Sequence, residues 1–543
     1  MKKKNDEENI VKEKPLLYSD HKAPVTRRDF LASGLLGMTT MALSSTTLAL
    51  MSKNVFAQSA CSAGPLMNGN VPFLCLDIAG GMNIAGGNAI IGQAPSGLQG
   101  EVGGVLSHFR KLGIPDESHP SKTGMINNTY GLKFHAHSGI LQGMDNVLKL
   151  QGDLKQYVDG VIIGGVTNDD TQNNPLNTVY MANKVGAKGD LVQLIGTRST
   201  LSGGESYPPP DQMDLTKKPS PIGSFESSEG LLSIGKNIMG TSFLNSGGLH
   251  GKDRMKRFLE LLGQSGDSQR AAISAKSPEL NMKEMEKYQT RLKGTQSIFD
   301  TFAPEQLNPL KNPSHRNVLQ QTYNGMMLED FTGNQVMSSN ILNLLTTRIA
   351  GAGTISVGGG DYHDGTATTG QAKDIEVGEY IGRAILMASI RCVPLFIHVF
   401  TDGGVVGDEA GMVDPQLPNR TVWRSDDGTR SAALMIVYNP KKKRLSPVDN
   451  DEYSNFLLTN KTRQMTRQIG YFKPGGGNAL DAHSLSNNVS QLWKGIILNY
   501  MATMVRSTDD DQIRAVVREQ FVSTFGELPP DWEKLIRFRS LIA

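Results

Sequence analysis

The sequence predicts an α/β fold built on a mainly parallel sheet with helices on both faces, and three observations carry that expectation. Short, almost continuous apolar runs recur along the chain, each closed by glycines or turn residues. Helical apolar periodicity lies between several of them, and two such helical segments lead straight into a strand-like run. A continuous apolar run of strand length is what burial on both sheet faces requires, and alternation of helix and strand is what parallel crossovers require.

The first run is "VPFLCLDIAGG" at 71–81, followed by "VDGVIIGGV" at 158–166 and "DLVQLIG" at 190–196. "GTISVGGGD" at 353–361, "VPLFIHVFTDGG" at 393–404 and "SAALMIVYNP" at 431–440 complete the set. "SSNILNLLTTRIAGAG" and "KDIEVGEYIGRAILMASI" are the helices that feed two of these runs. Met255, Phe258, Leu259 and Leu262 share one helical face before Gly263 stops it. Residues from about 198 to 347 read as an insertion in a 58–446 domain: Pro-, Gly- and Ser-rich at first, then helical and polar. Residues 447–543 read as a helical extension of the same domain.

The N-terminus carries an address. In "VTRRDFLASGLLGMTTMALSSTTLALMSKNVFAQ" the pair Arg27 and Arg28 precedes a dilute apolar stretch that ends in Val55-Phe56-Ala57. This resembles a twin-arginine (Tat) export signal spanning residues 1–57, with cleavage after Ala57. It implies a folded passenger, the Tat translocase as a transient partner and the periplasm as destination. A retained membrane anchor is the competing reading; no later run is long enough to span a bilayer. Residues 1–57 hold nine Lys/Arg and six Asp/Glu, so the overall charge of +2 becomes −1 once they are removed. Nothing in that balance argues for nucleic acid or an anionic membrane as partner. "NPKKKR" at 439–444 reads as a solvated loop. Of the three cysteines, Cys75 and Cys392 lie in apolar stretches, as buried structural thiols do, and the chain offers no disulfide framework or paired-cysteine metal site.

Ligands of open α/β sheets bind at the carboxyl ends of the strands. Two of the predicted strands release an acid there, Asp361 and Asp402, and "RSDDGTR", with Asp426 and Asp427, immediately precedes a third. The opening segment of that rim, "GGGDYHDGTATTG" at 358–370, adds His363 two residues after Asp361. Carboxylate and imidazole suit a divalent cation. Asp364-Gly365 reads as turn chemistry. His135 and His137 form a His-x-His that would put both rings on one side of a strand, and read as a structural pair beside a turn rather than a metal pair. "GGGN" at 475–478 lacks a P-loop lysine and reads as a connector; His398, inside an apolar run, reads as a core histidine.

In this order the segments resemble the domain-of-unknown-function 1501 family of the alkaline-phosphatase/sulfatase-like superfamily. "TRRDFL" is similar to its leader and "FLCLDIAGGMNIAGGN" to its first strand with Gly-Gly-x-Asp. "GLKFHAHSGIL" is similar to a Gly-Leu-x-Pro segment, "GGGDYHDG" to Gly-Gly-Trp-Asp-Thr-His, and "LFIHVFTDGG" to a strand ending in Ser-Glu-Phe-Gly-Arg. The resemblance implies an alkaline-phosphatase-like fold with one or two divalent metals at the strand ends and a hydroxyl or formylglycine nucleophile attacking a phosphate or sulfate ester. Carried over, Asp361 and His363 match the Asp-x-His ligands, Asp402 stands for a Glu, and Asp427 for the Asp of an Asp-His-Gly whose histidine is missing. Asn83 occupies the first-strand Asp position. "NNPLN" at 173–177 replaces a Ser-His pair, leaving Thr167 and Thr171 as the nearby hydroxyls.

Two close divalent ions need more carboxylates and imidazoles than these to offset their repulsion. Three acids and one histidine suit a single Ca, Mg or Zn ion with water completing its shell. Two function classes therefore stand: an exported, non-catalytic binding, scaffold or envelope-assembly protein with a degenerate metal site and an unnamed protein partner, which is favoured, or a single-metal hydrolase of phosphate or sulfate esters.

Overall fold

A computed structural model describes residues 71–78, 80–92, 106–165, 177–189, 192–197, 219–231, 307–358, 362–363, 365–401, 403–425, 431–444, 467–473, 482–486 and 491–543. At its centre lies a seven-stranded sheet: β1 (Phe73–Ile78), β2 (Val158–Gly165), β3 (Val192–Gly196), β4 (Ala350–Val357), β5 (Leu395–Thr401), β6 (Ser431–Tyr438) and β7 (Gln468–Ile469). Their order across the sheet is β7-β2-β6-β5-β1-β4-β3. β1 runs parallel to both neighbours, β3 to β4 and β7 to β2, while β6 is antiparallel to β2 and β5. All six apolar runs read from the sequence are strands of this one sheet. The direction of β6 has a consequence for the rim: Ser431, where β6 begins, pairs with Gly165, where β2 ends. The chain therefore enters β6 at the same end at which the parallel strands finish.

Alternation along each strand divides the core into two layers. Leu74, Leu76 and Ile78 of β1 face one cluster; Phe73 and Cys75 face the other. The first layer is covered by α1 (Gly139–Leu148), α3 (Gly333–Thr346) and α4 (Ala367–Ile390). The second is covered by α2 (Val179–Val185), α5 (Trp493–Thr503) and α6 (Asp510–Phe525), so helices lie on both faces as expected. The C-terminal helices belong to this core: the rings of Phe73 and Tyr500 meet edge to face at 4.9 Å, and Tyr500 donates a 2.6 Å hydrogen bond to the Val71 carbonyl. Capping follows the sequence locally. Ser138 accepts from Leu141 N at the start of α1, and Thr332 with Gln335 forms a reciprocal capping box on α3.

α1 and α4 approach backbone to backbone. A Cβ on Gly378 would stand 2.1 Å from the Ile140 carbonyl oxygen, and one on Gly143 would stand 2.0 Å from that of Ile375. Glycine costs a helix interior about 1 kcal/mol relative to alanine, so its presence at both positions is explained by this contact. Residues 252–306, which hold the Met255–Leu262 helical pattern, lie outside the described residues, as does the N-terminal signal with Arg27, Arg28 and Ala57. Among the described residues no helix is long and apolar enough to cross a membrane.

The cysteine reading needs one correction. Cys75 is buried and free, as expected, but Cys392 is only half-buried and is disulfide-bonded, with its partner outside the described residues. It sits in the left-handed region (φ 54°) at the turn between α4 and β5, where the chain leaves the helix layer. An apolar neighbourhood in sequence therefore did not mean a buried thiol.

Candidate functional site at the carboxyl end of the sheet

The loop after β1 ties the carboxyl end of β5 to the helices that cover one face of the sheet. Met82 N donates to Thr401 Oγ1 at 2.8 Å, tying that loop to the end of β5. Further along the loop, Asn88 is fully buried and uses its whole amide. Its Nδ2 donates to Asn83 O (2.8 Å) and Asp374 Oδ2 (2.7 Å), and its Oδ1 accepts from Ser138 Oγ (2.8 Å) and Ile140 N (3.0 Å). One side chain thus binds the β1 loop to the start of α1 and the first turns of α4.

Asp374 is the hub of this network. Tyr362 OH donates to its Oδ1 at 2.6 Å while Asn88 holds Oδ2, and the Tyr362 ring stacks on Trp423 with centroids 5.2 Å apart. Burial pushes the Asp374 carboxyl up to about 7, against the lowering effects of the two donors and the Arg420 charge. Arg420 is itself buried, and its Nη2 donates to His137 O (2.6 Å), Gln371 Oε1 (3.1 Å) and Gly87 O (3.2 Å). A buried charge held by carbonyls and a nearby carboxylate fixes the loops it crosses.

Tyr362 is therefore the anchor of the "GGGDYHDG" segment, pointing inward while His363 is exposed at the carboxyl end of β4. His363 O accepts from Thr366 N at 2.9 Å and Gly365 adopts φ 71°, which makes 363–366 a tight turn that glycine suits. Of the Asp364-Gly365 pair only Gly365 is described; Asp364 lies outside the described residues. Of the four expected metal ligands, only His363 is described; Asp361, Asp402 and Asp427 lie outside the described residues, as do Thr167 and Thr171. Among the described residues no three His, Cys, Asp or Glu side chains stand close enough to share a metal ion.

Asn83, at the position where the resemblance expects a carboxylate, is buried and turned into its own loop. Its Oδ1 accepts from Gly87 N at 3.4 Å, and Gly87 and Gly113 leave the space its amide fills. Asn177, at the end of the "NNPLN" segment, is buried and accepts from Val179 N at 3.1 Å at the start of α2.

Three further described histidines, His135, His398 and His483, are held by partners inside the fold. His135 is buried, with Nε2 donating to Ser118 O (2.7 Å) and Nδ1 accepting from His137 N (3.2 Å), and burial with the Arg420 charge lowers it to about 3. Both ring nitrogens are committed, which excludes the metal-pair alternative in this geometry. His483 makes the same kind of double commitment, to Gly164 O and Leu485 N. His398 is a core histidine, with Nδ1 2.8 Å from Thr178 Oγ1 and 3.7 Å from Cys75 Sγ. Burial lowers its imidazole to about 3 and raises the Cys75 thiol, so the pair stays neutral and the thiol is not activated.

Asp374 and Asn88 escaped the sequence reading, although a signal for Asp374 was present. Asp374, Val377, Gly378 and Ile381 follow the i, i+3, i+4, i+7 spacing, which puts an acid on the buried stripe of α4. Arg420 lies in a loop and carries no such pattern. Comparison with protein-family models, with curated proteins and with solved structures finds no match to this chain.

Proposed function

We propose that the chain is a Tat-exported periplasmic protein with an alkaline-phosphatase-like domain, akin to the domain-of-unknown-function 1501 family, whose strand-end rim serves binding or scaffolding rather than ester hydrolysis. The observation that carries this reading is Asn83. At the position where the resemblance expects a metal-binding carboxylate stands a neutral amide, buried, with Oδ1 accepting from Gly87 N at 3.4 Å and Nδ2 without a hydrogen-bond partner among the described residues. Without that negative charge a pair of divalent ions loses a ligand and a counter-charge together. A single Ca, Mg or Zn ion would fall to Asp361, His363, Asp402 and Asp427. The α/β sheet with helices on both faces supports the fold assignment, and the disulfide at Cys392 supports an oxidising destination.

The export half of the proposal predicts that Arg27→Lys/Arg28→Lys keeps the chain in the cytoplasm at its precursor mass, whereas the unaltered chain fractionates with the periplasm and begins at Gln58. Periplasmic delivery of the double-lysine variant would overturn it. For the second half, the mature protein is assayed against p-nitrophenyl phosphate and sulfate with added Ca, Mg, Mn or Zn. No turnover above that of Asp361→Ala/His363→Ala is expected. Metal-dependent turnover abolished in that variant would establish the hydrolase reading instead, which the exposure of His363 at the end of β4 favours.

A further inference from the structure

At the opposite, amino end of the sheet the fold assembles a second concave site. The start of β2, the end of β6, the segment leading into β7 and the C-terminal residues 537–541 enclose a cavity of about 180 Å³. Six cations line it, namely Lys442, Lys443, Arg444, Arg467, Arg537 and Arg539, against one lining carboxylate, Asp159. In a chain that is close to neutral after residue 57, this is a marked local excess of one sign.

The cations are built in rather than scattered. Arg467 Nε pairs with Asp159 Oδ1 at 2.9 Å, and that carboxylate also accepts from Gly160 N. Arg444 is held by the Lys155 and Val158 carbonyls (2.5 and 3.2 Å), and Arg537 Nε by the Gln468 carbonyl (3.4 Å). Carbonyls orient a guanidinium without cancelling its charge. Arg539 pairs with Asp510 at 3.2 Å. Asn439 Oδ1 accepts from Lys441 N and Lys442 N, which folds the "NPKKKR" run into a turn at the mouth of the cavity, and Lys443 Nζ stands 6.0 Å from the Tyr157 ring. The basic run is solvated, as its sequence suggests, but it forms one wall of a pocket whose other walls come from residues 159, 467 and 537–539.

We propose that this cavity binds a small phosphate-bearing anion. Planar guanidinium forks match the oxygens of a phosphate, and the rim lysines Lys442 and Lys443 add point charges that make no ion pair among the described residues. The volume is below the roughly 300–1,000 Å³ of pockets that enclose drug-sized ligands, so a phosphate group with little attached to it fits better than a dinucleotide. Such a group comes either from a soluble phosphate compound or from the headgroup of an anionic lipid.

The test uses the mature full-length protein and Lys442→Gln/Lys443→Gln/Arg539→Gln. These three side chains lie at the exposed rim, so the variant keeps its fold; circular dichroism and melting in chloride buffer check this. Calorimetric titration with inorganic phosphate and with pyrophosphate, at ionic strength matched with chloride, is expected to show saturable binding. The triple substitution weakens it by about tenfold or more, while Asp361→Ala/His363→Ala leaves it unchanged, which separates this site from the strand-end rim. Sedimentation with phosphatidic acid vesicles forms the second arm. Binding there that the triple variant loses, without a response to soluble phosphate, assigns the same site to lipid headgroups. No saturable binding of phosphate, pyrophosphate or vesicles, or equal binding by the triple variant, would overturn the proposal.

Discussion

Gly378→Val is expected to destabilise the protein by more than about 3 kcal/mol, enough to deplete the soluble folded form. The added Cβ alone would stand 2.1 Å from the Ile140 carbonyl oxygen and 2.9 Å from Gly143 Cα. Both obstacles are backbone, so no side chain can rotate away, and α1 and α4 must part. Their separation would open the core layer that holds Met144, Val377 and Ile381, and would pull Ser138 and Asp374 from Asn88. Gly333→Ala is the control. It lies at the first turn of α3 with nothing within 4 Å of an added Cβ, and is expected to be neutral or stabilising by up to about 1 kcal/mol. Urea denaturation of both variants checks the contrast; a Gly378→Val midpoint equal to wild type would remove the close helix approach from this account.

Asp374→Ala is expected to cost about 2–4 kcal/mol, because it strips Tyr362 OH and Asn88 Nδ2 of their buried acceptor at once. Asp374→Asn keeps the shape and isolates the charge. In the folded protein the carboxyl titrates near 7, against 3.8 ordinarily, so folding takes up a proton between those values. Its contribution to stability is therefore complete below about pH 4 and is lost as pH rises through 7. His135, His315 and His398 act in the opposite sense: each is lowered to about 3, so the stability tied to its neutral form is lost as pH falls from 6.5 towards 3. The readout is consequently the difference between wild type and Asp374→Asn, from which the histidines cancel. Wild type should gain on the variant as pH is lowered from 8 to 5; parallel curves would show that Asp374 stays ionised.

The strands were legible because a two-sided buried strand has to be a continuous apolar run, and each of the six runs had that form. What such a run does not encode is direction: nothing in "SAALMIVY" distinguishes an antiparallel β6 from a parallel one. β7, two residues long, is below the length at which periodicity carries information. The site was legible only at the level of segments. "GGGDYHDG" was readable as a rim loop, but its inward anchor is the tyrosine, whose acceptor Asp374 lies twelve positions further on and was hidden among charged residues of a helix. Asn88 and Arg420 are hubs because of loops brought together over hundreds of residues, and single-sequence patterns hold no trace of that. The "NPKKKR" run shows the same limit: its neighbours in the basic cavity come from residues 159, 467 and 537–539.

We propose that the strand-end rim is not a binuclear hydrolytic metal centre, and metal content tests that central claim most directly. The mature protein is purified from periplasm without chelator beside Asp361→Ala/His363→Ala, and both are analysed for Ca, Mg, Mn and Zn. The account predicts at most one metal ion per chain in the wild type, and none in the variant. Two ions per chain, lost together in the variant, would contradict it and restore a binuclear ester hydrolase.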